Sequence, residues 1–341
     1  MSVLITTLVT IAISAVGGFL ASLLHLPAAW LMGGALAVAV AALLGVKVGM
    51  PKWLRDATFV LTGVSMGANV ARDSLALMVQ WPVTLAALVV ELILIVAGTG
   101  YLLRKLLGVD RGTAYLSSFP GHLSFIMGIA AAGVGDSRQI TIIQVIRILL
   151  LTTVVPIGAL FLPVGHVQGP QTGPLIPWPT LILVTAACAA VGFVFTKLRV
   201  PAAYALGAMA ASMTAKFAGW FDGSMPPQLL VLAFVLVGAL IGSRFGGISF
   251  AEFREAAVGG FLGTAMTVAI VTVVAFGATR LVDMPFGQIW LGLAPGALEG
   301  MGALGIALGF DTAFIAAHHV ARLLLLTIAI PAVVMLVRQR E

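Results

Sequence analysis

The hydrophobic positions of this chain fall into long runs, and the short segments between those runs hold most of the charged residues. Several runs approach the roughly 20 apolar residues that an α-helix needs to cross the hydrocarbon core of a bilayer. The pattern predicts an all-α polytopic membrane protein with five spanning helices in each half. The predicted spans fall near residues 3–24, 28–46, 53–70, 81–105 and 138–163, and then near 177–196, 200–217, 226–243, 256–280 and 312–336.

Two further apolar segments, 111–134 and 286–309, are interrupted in the middle by Pro-Gly pairs, Pro120-Gly121 and Pro295-Gly296. Proline removes an intrahelical hydrogen bond, and glycine weakens a helix interior. Each segment is therefore interpreted as two half-helices that meet at a break. The pattern leaves open whether such a segment crosses the membrane as a discontinuous helix or re-enters on its own side.

The chain resembles itself at a shift of 175 residues, which predicts an internal repeat. The matched pairs are Pro120 and Pro295, Gly121 and Gly296, Asp136 and Asp311, Gln144 and His319, Arg147 and Arg322, and Pro156 and Pro331. From the aspartate to the last proline the spacings are 8, 3 and 9 in both copies, which favours duplication over coincidence. We predict a first membrane repeat at 1–163, a linker at 164–176 and a second membrane repeat at 177–341.

Composition supports the membrane interpretation. Hydrophobic residues make up 61% of the 341 positions and charged residues only 9%, which leaves too little polar surface for a water-soluble globule. The net charge of +6 is scattered over short loops and does not indicate a nucleic-acid partner. Cys188 is the only cysteine, so an intrachain disulfide and a thiolate metal site are excluded. The N-terminal run lacks the features of a cleaved signal peptide and is expected to be a retained first helix.

The distribution of Lys and Arg favours one membrane topology, because short cytoplasmic loops collect basic residues. If each broken segment returns to its own side, five spans per half invert the second copy. Cytoplasmic N- and C-termini then place thirteen of the eighteen basic residues inside, against Arg72, Lys216 and Arg280 outside. If the segments span fully, the count becomes ten inside and six outside. We therefore expect two inverted repeats.

The two breaks are candidates for a polar centre within the membrane. Half-helix ends carry partial charges, and opposed breaks from inverted repeats form the binding sites of many secondary transporters. The candidate substrate-binding residues at the breaks are Pro120, Gly121, His122, Ser124, Pro295, Gly296 and Glu299. The alternative is that the prolines kink ordinary transmembrane helices.

Arg147 and Arg322 lie inside apolar runs, where an arginine must face carbonyls, a carboxylate or water. Gln144 and His319 precede them by one helical turn and share their face, so all four are predicted to line the site. Two roles are open and could hold together. Each guanidinium could bind the carboxylate of a substrate, or it could cap the carbonyl end of a neighbouring half-helix.

The acidic residues supply candidates for a coupling ion or proton. Glu299 is the leading candidate because a carboxylate at membrane depth can titrate, although a salt bridge with Arg147 or Arg322 is an equally good interpretation. Asp136 and Asp311 are further candidates, with helix N-capping as the alternative. For Glu91 the sequence does not choose between a helix-interface and a dimer contact. His318 and His319 are adjacent, so they do not suggest a zinc pair.

The chain resembles the AbrB-like family of bacterial inner-membrane proteins, which has also carried the label ammonia monooxygenase. The resemblance lies in LPAAWLMGG and VPAAYALGA, in PGHLS and PGALEG at the breaks, and in D-x7-Q-x2-R and D-x7-H-x2-R. It implies a multi-pass inner-membrane protein related to the cation/anion transporter superfamily with inverted repeats. Much of that family keeps an acidic residue shortly after Pro-Gly. Glu299 fits that pattern, whereas the first copy has His122 and Ser124.

From these features we expect a secondary transporter that moves a small organic anion with H⁺ or Na⁺ by alternating access around the paired breaks. The expected partners are the lipid bilayer, the anion, the coupling ion and, by analogy, a second copy in a homodimer. Neither enzymatic activity nor a cofactor or metal is expected. A regulatory or scaffolding membrane protein is the main alternative, and a membrane oxidoreductase is a weaker one.

Overall fold

The computed structural model of this protein describes residues 2–70, 78–121, 123–131, 133–158, 174–200 and 202–338. These residues form fourteen α-helices, and their β-structure is limited to one isolated bridge between Leu175 and Ser224. The first half contains α1 (Val3–Leu23), α2 (Ala29–Leu43), α3 (Lys52–Ala68), α4 (Trp81–Leu107), α5 (Arg111–Ser118), α6 (Leu123–Ala131) and α7 (Ser137–Gly158). The second half contains α8 (Trp178–Lys197), α9 (Ala203–Phe217), α10 (Pro227–Ser243), α11 (Phe250–Ala278), α12 (Phe286–Leu293), α13 (Leu298–Leu308) and α14 (Thr312–Arg338).

The lengths and surfaces of these helices fit a bilayer and confirm the all-α polytopic membrane class. Within the described ranges, six helices are long and apolar enough to cross a membrane, namely α1, α4 with its preceding turn, α7, α8, α11 and α14. Large apolar side chains point outward on them, such as Ile182 at 68% exposure and Ile328 at 75%. The remaining predicted spans, α2, α3, α9 and α10, have only 15 or 17 residues. Their crossing of the full bilayer stays a prediction, as does the division into two repeats and a linker.

Local sequence explains where several helices begin and end. The Asp110 carboxylate accepts a hydrogen bond from the Thr113 amide at 2.9 Å and caps the start of α5. Ser249 and Glu252 form a reciprocal capping box, which starts α11 before the predicted position 256. Gly108 adopts a left-handed φ of 65° and ends α4.

Helices from the two halves cross at glycines. A Cβ atom added at Gly63 of α3 would meet the Ala205 carbonyl of α9, and one added at Gly67 would meet the carbonyl of Met209. Residue numbers in these contacts increase together along both helices, so α3 and α9 run parallel. The contacts of α10 with α2 advance in the same way, with Gly238 against Leu31 and Gly242 against Ala35. Close approach at small residues is a common way for membrane helices to pack.

The long helices follow a matching arrangement. Gly98 of α4 faces Met266 of α11, and Leu107 of α4 faces Gly259, so these two helices run antiparallel. By contrast, α7 and α11 run parallel, from the ion pair of Arg138 with Glu252 at 2.7 Å to the contact of Ile146 with Gly260.

The equivalent pair, α4 with α14, also runs parallel. It begins at the hydrogen bond between Thr84 Oγ1 and His318 Nε2 at 2.8 Å and extends to a cavity that Leu92 and Leu326 both line. Each half therefore inserts its last helix against the fourth helix of the other half.

Each broken segment returns to the level at which it began. The Asp136 amide at the start of α7 donates to Thr113 Oγ1 near the start of α5 at 2.7 Å. In the second half, the Asp311 amide before α14 donates to Gln288 Oε1 of α12 at 3.4 Å. Because the two ends of each segment lie side by side, the broken segments are helical hairpins with the Pro-Gly pairs near their tips.

Candidate functional site

The first break comprises residues 119–121, at the end of α5. Phe119 is extended, with φ −63° and ψ 126°, and Gly121 has a φ of 123° that disfavours any residue with a side chain. Arg147 of α7 reaches this break and donates from Nη2 to the Phe119 carbonyl at 2.9 Å and from Nη1 to the Ser117 carbonyl at 3.3 Å. The arginine therefore holds carbonyls that the end of α5 leaves without intrahelical partners.

The second break comprises residues 294–297, between α12 and α13. Arg322 of α14 donates from Nη2 to the carbonyls of Leu293 at 2.6 Å and Gly292 at 3.0 Å, and from Nη1 to that of Ala294 at 2.9 Å. Equivalent arginines thus hold equivalent helix ends in the two halves. These contacts are the carbonyl-capping arrangement that the sequence left as one of two alternatives.

Both arginines are buried, with exposures of 4% for Arg147 and 1% for Arg322. The carboxyl end of a helix carries partial negative charge, which offsets part of the unfavourable burial of a guanidinium. In the described part of the chain, the Nε atoms of both arginines are buried without a hydrogen-bond partner. Each break is thus accompanied by one buried guanidinium group. The site thus concentrates positive charge and keeps two donors unused, and binding of an anion there stays a prediction.

Gln144 and His319, which precede the arginines by one turn, are both buried. Gln144 Nε2 donates to the Leu116 carbonyl at 3.2 Å and so joins Arg147 in holding α5. His319 Nδ1 contacts the Ile315 carbonyl of its own helix at 2.8 Å, while its Nε2 has no partner among the described residues. The equivalent positions therefore differ chemically, with an amide that holds α5 in the first half and an imidazole one helical turn before Arg322 in the second.

Asp136 and Asp311 lie at the starts of α7 and α14. Asp136 Oδ1 accepts hydrogen bonds from the Arg138 amide at 2.8 Å and the Gln139 amide at 3.1 Å, and Asp311 Oδ1 accepts one from the Ala313 amide at 2.8 Å. These are N-cap contacts. Eleven residues of helix separate each aspartate from its arginine, or roughly 16 Å. The two carboxylates therefore lie away from the breaks, and a coupling role for them stays untested.

Other predicted residues fall on parts of the chain that are not described. His122 lies outside the described residues, as do the side chains of Ser124 and Glu299. The backbone of Glu299 lies in the first turn of α13, directly after the second break. Most of the predicted linker is also outside the described ranges.

The sequence leaves the role of Glu91 open between a helix-interface and a dimer contact, and the structure buries its side chain inside the protein. It lies on α4 with 0% exposure, and neither of its carboxylate oxygens has a hydrogen-bond partner among the described residues. Arg322 lies near its level on the parallel helix α14, because Thr84 is hydrogen-bonded to His318 and because Leu92 and Leu326 line one cavity. In the sequence, Glu91 stands out only as a single acidic residue inside the apolar run VVELILIV.

Two cavities occupy equivalent places in the two halves. One, of about 510 Å³, is lined by α7, α11 and α12, including Leu151, Val268 and Trp290. The other, of about 370 Å³, is lined by α14, α4 and α5, including the equivalent residues Leu326, Ile93 and Tyr115, together with Arg104 and Arg111. Among the described residues no group of three or more His, Cys, Asp or Glu side chains is placed to hold a metal ion.

Comparisons with known proteins agree with the resemblance seen in the motifs. A family model described as "Transition state regulatory protein AbrB" matches residues 30–338. The Escherichia coli (strain K12) protein "Putative regulator AbrB" is 26% identical over 325 residues, which cover 93% of this chain and 91% of that protein. The Bacillus subtilis (strain 168) protein "Uncharacterized protein YhjN" is 23% identical over 359 residues, which cover 94% of this chain and 90% of that protein. Because the family model covers most of its length, this polytopic membrane protein belongs to the AbrB family.

Proposed function

We propose that this protein is a secondary transporter that moves a small organic anion together with H⁺ or Na⁺. The observation that carries the proposal is the pair of breaks, each held by a buried arginine at equivalent positions in the two halves. Interrupted helices at the centre of the membrane are a recurring way to build a transport site.

The proposal includes an inverted relation between the two halves. In a chain that crosses the membrane repeatedly, the third helix of one copy runs parallel to the second helix of an inverted copy. It runs antiparallel to that helix when the copies share one orientation. The parallel contacts of α3 with α9 and of α2 with α10 fit inversion, as do the antiparallel contacts of the equivalent helices α4 and α11. Alternating access would then arise from movement of one group of helices against the other around the breaks.

An anion is the favoured substrate because the hydrogen-bond donors near the breaks are positively charged and some of them have no acceptor in the described part of the chain. Arg147 and Arg322 each retain a buried Nε without a partner in the described part of the chain. The N-cap residue of α13, Ala297, makes no side-chain hydrogen bond to the helix, so the first amides after the second break depend on other acceptors. A carboxylate group can accept hydrogen bonds from both kinds of donor.

Location and orientation are part of the same proposal. We place the protein in the bacterial inner membrane with cytoplasmic N- and C-termini. The support is the excess of Lys and Arg on one set of loops once the broken segments return to their own side.

Uptake into proteoliposomes tests the transport proposal. We expect the wild-type protein to accumulate a small organic acid when a proton or sodium gradient is applied. Arg147→Lys and Arg322→Lys keep the charge but lose the forked geometry of a guanidinium, so both should reduce uptake strongly. The matched control is Arg280→Lys, because Arg280 is positioned over the Phe276 ring, away from the breaks. Uptake that is unaffected by both buried substitutions would contradict the proposal.

A ligand screen tests substrate class independently. A substrate that binds the folded state stabilises it by about 2.7 kcal/mol when its concentration is 100 times its Kd. We expect one or more small mono- or dicarboxylic acids to raise the unfolding temperature, and neutral amides of the same shape to leave it unchanged. Stabilisation by acids and amides alike would argue against recognition of the negative charge.

A regulatory or scaffolding role in the membrane is the second candidate. The specific support is that the matching family model and the Escherichia coli relative carry the words "regulatory" and "regulator" in their descriptions. For a regulator, the buried arginines would serve the fold alone. Reconstituted protein that is fully folded and transports no organic acid, with or without an ion gradient, would favour this candidate.

A further inference from the structure

Glu91 is a buried carboxyl group that the proposed site does not use. It lies ten residues into the 27-residue helix α4 and is completely buried. Both of its carboxylate oxygens lack a hydrogen-bond partner among the residues that the structure describes. An ionised carboxylate without hydrogen bonds in an apolar interior is strongly disfavoured, whereas the protonated acid is tolerated.

Arg322 is the charged side chain of α14 that lies nearest to the level of Glu91 among the described residues. Helices α4 and α14 run parallel, with Thr84 hydrogen-bonded to His318 and with Leu92 and Leu326 lining one cavity, so Arg322 lies about one turn from the level of Glu91. His318 and His319 are the other titratable groups of that helix in this region. His318 is bonded to Thr84, two turns before Glu91 on α4, which is about 10 Å along the helix axis.

The other elements that pack against α4 place their charges farther away. The charged residues of α11 are Glu252, Arg254 and Glu255 in its first turns. That end of α11 lies towards Leu107, which is sixteen residues, or about 24 Å, from Glu91. Arg111 begins α5, whose Tyr115 packs on Gly100 of α4, so it also lies towards Leu107. The turn Met78–Gln80 and helix α12 contain no Asp, Glu, Lys, Arg or His.

Arg322 therefore has two competing partners. Its Nη atoms now bond three carbonyls at the end of α12, and its Nε has no partner among the described residues. A neutral Glu91 leaves that arrangement undisturbed. An ionised Glu91 attracts the guanidinium, and in a low-dielectric interior a full charge competes well with carbonyl dipoles.

We propose that Glu91 is a proton-binding site, and that release of its proton to water draws Arg322 from the second break towards the Glu91 carboxylate. We infer a proton and not a metal cation as the ligand, because a hard cation needs several oxygen ligands. The buried neighbours Leu88, Leu92 and Ile95 supply none, and the described residues contain no group of three or more His, Cys, Asp or Glu side chains placed to hold a metal. Position 266, the equivalent of Glu91, is Met266, so the repeat supplies one such site per chain. As the coupling site of transport, this inference rests on the proposed function.

Infrared spectroscopy of the purified full-length protein tests proton binding without any transport. We expect a C=O stretching band of a protonated carboxyl group at neutral pH, and we expect Glu91→Gln to remove it. Asp283→Asn is the matched control, since Asp283 is exposed and should leave the band in place. If Glu91→Gln does not fold, Glu91→Asp should keep the band at a shifted frequency. A band that survives in Glu91→Gln, or its absence from the wild type, would overturn the proposal.

The link to Arg322 has its own readout. A nearby cation favours the carboxylate, so Arg322→Gln should make the Glu91 band persist to higher pH than in the wild type. An unchanged titration midpoint would show that Arg322 does not act on Glu91.

Proton and anion fluxes in proteoliposomes separate this inference from the proposed function. Wild-type protein should move protons with the anion, and Glu91→Gln should move the anion without protons. Coupled proton movement in Glu91→Gln would overturn the role of Glu91 and leave the transport proposal standing. Absence of anion transport in the wild type would overturn the transport proposal, and the infrared result would still decide whether Glu91 binds a proton.

Discussion

Two buried arginines each stabilise the end of a short helix by donating hydrogen bonds to its last carbonyls. Arg322 makes three hydrogen bonds to the end of α12, the longest of them 3.0 Å, whereas Arg147 makes two to the end of α5, one of them at 3.3 Å. Hydrogen bonds weaken with distance, and those from charged donors are the strongest in proteins. The two breaks are therefore held in the same way, but the hydrogen bonds of Arg322 at the second break are stronger than those of Arg147 at the first.

Removal of the two guanidinium groups should reveal this inequality. A hydrogen bond to a charged group contributes about 1.5–3 kcal/mol, so Arg322→Ala should destabilise the protein more than Arg147→Ala by at least about 1.5 kcal/mol. The measurement is the free energy of unfolding in mixed micelles. Equal losses, or a larger loss for Arg147→Ala, would mean that the contacts of the second break are weaker than their distances indicate.

The backbone at the first break gives a second residue-level prediction. Gly121 has a φ of 123°, so Gly121→Ala should cost about 1–3 kcal/mol of stability. Gly128 lies in helix α6 with no atom within 4 Å of an added Cβ. Gly128→Ala should therefore be neutral or stabilise the helix by about 0.5–1 kcal/mol. Equal effects in thermal unfolding would contradict the assigned backbone at Gly121.

At this scale the sequence predicted where the unusual residues lie but not what they contact. Arg147 and Arg322 were conspicuous because they lie in apolar runs. The sequence was equally compatible with binding of a substrate carboxylate and with capping of a half-helix. The choice of carbonyls as partners depends on how close α5 and α12 come to α7 and α14, which a single sequence does not contain. The role of Glu91 stayed open between a helix-interface and a dimer contact, because Arg322 on the facing helix is 231 positions away in the sequence.

At the scale of elements, hydropathy predicted the helices well because membrane length limits them. Most of the long helices begin within three residues of the predicted positions, and the breaks fall at the Pro-Gly pairs. The exception is α11, which begins at Phe250 because the Ser249–Glu252 capping box adds turns before the apolar run. Hydropathy could not distinguish a re-entrant segment from a spanning one, since both have the same composition. The contact between Thr113 and Asp136 shows that the first broken segment is a hairpin, and its re-entry on one side of the membrane stays a prediction.

The crossing of α2 and α10 gives a prediction at this scale. A Cβ at Gly242 would meet the Ala35 carbonyl and Val38, so Gly242→Ala must separate two backbones and should cost about 1–3 kcal/mol. Gly277, exposed near the end of α11, has no atom within 4 Å of an added Cβ and serves as the control. Thermal unfolding of both variants is the measurement. A harmless Gly242→Ala would show that the two helices do not pack through this glycine.

At the scale of the whole molecule, the two halves interlock. The last helix of each half lies against the fourth helix of the other, as the Thr84–His318 and Arg138–Glu252 contacts show. The self-similarity at 175 residues predicted two copies, and the basic residues favoured inversion. The sequence could not predict which helices pack together, because the helices are apolar on most sides and show no distinct face for a neighbour.

Sided cysteine labelling of intact cells tests most directly whether the two halves are inverted around re-entrant hairpins. In a Cys188→Ala background, Val109→Cys and Ser137→Cys flank the first hairpin, and Asp283→Cys precedes the second. A membrane-impermeant thiol reagent should label position 283 from outside the cell, and positions 109 and 137 only after the membrane is permeabilised. Labelling of positions 109 and 137 from opposite sides, or of position 283 from the same side as both, would contradict the inverted arrangement on which the transport proposal depends.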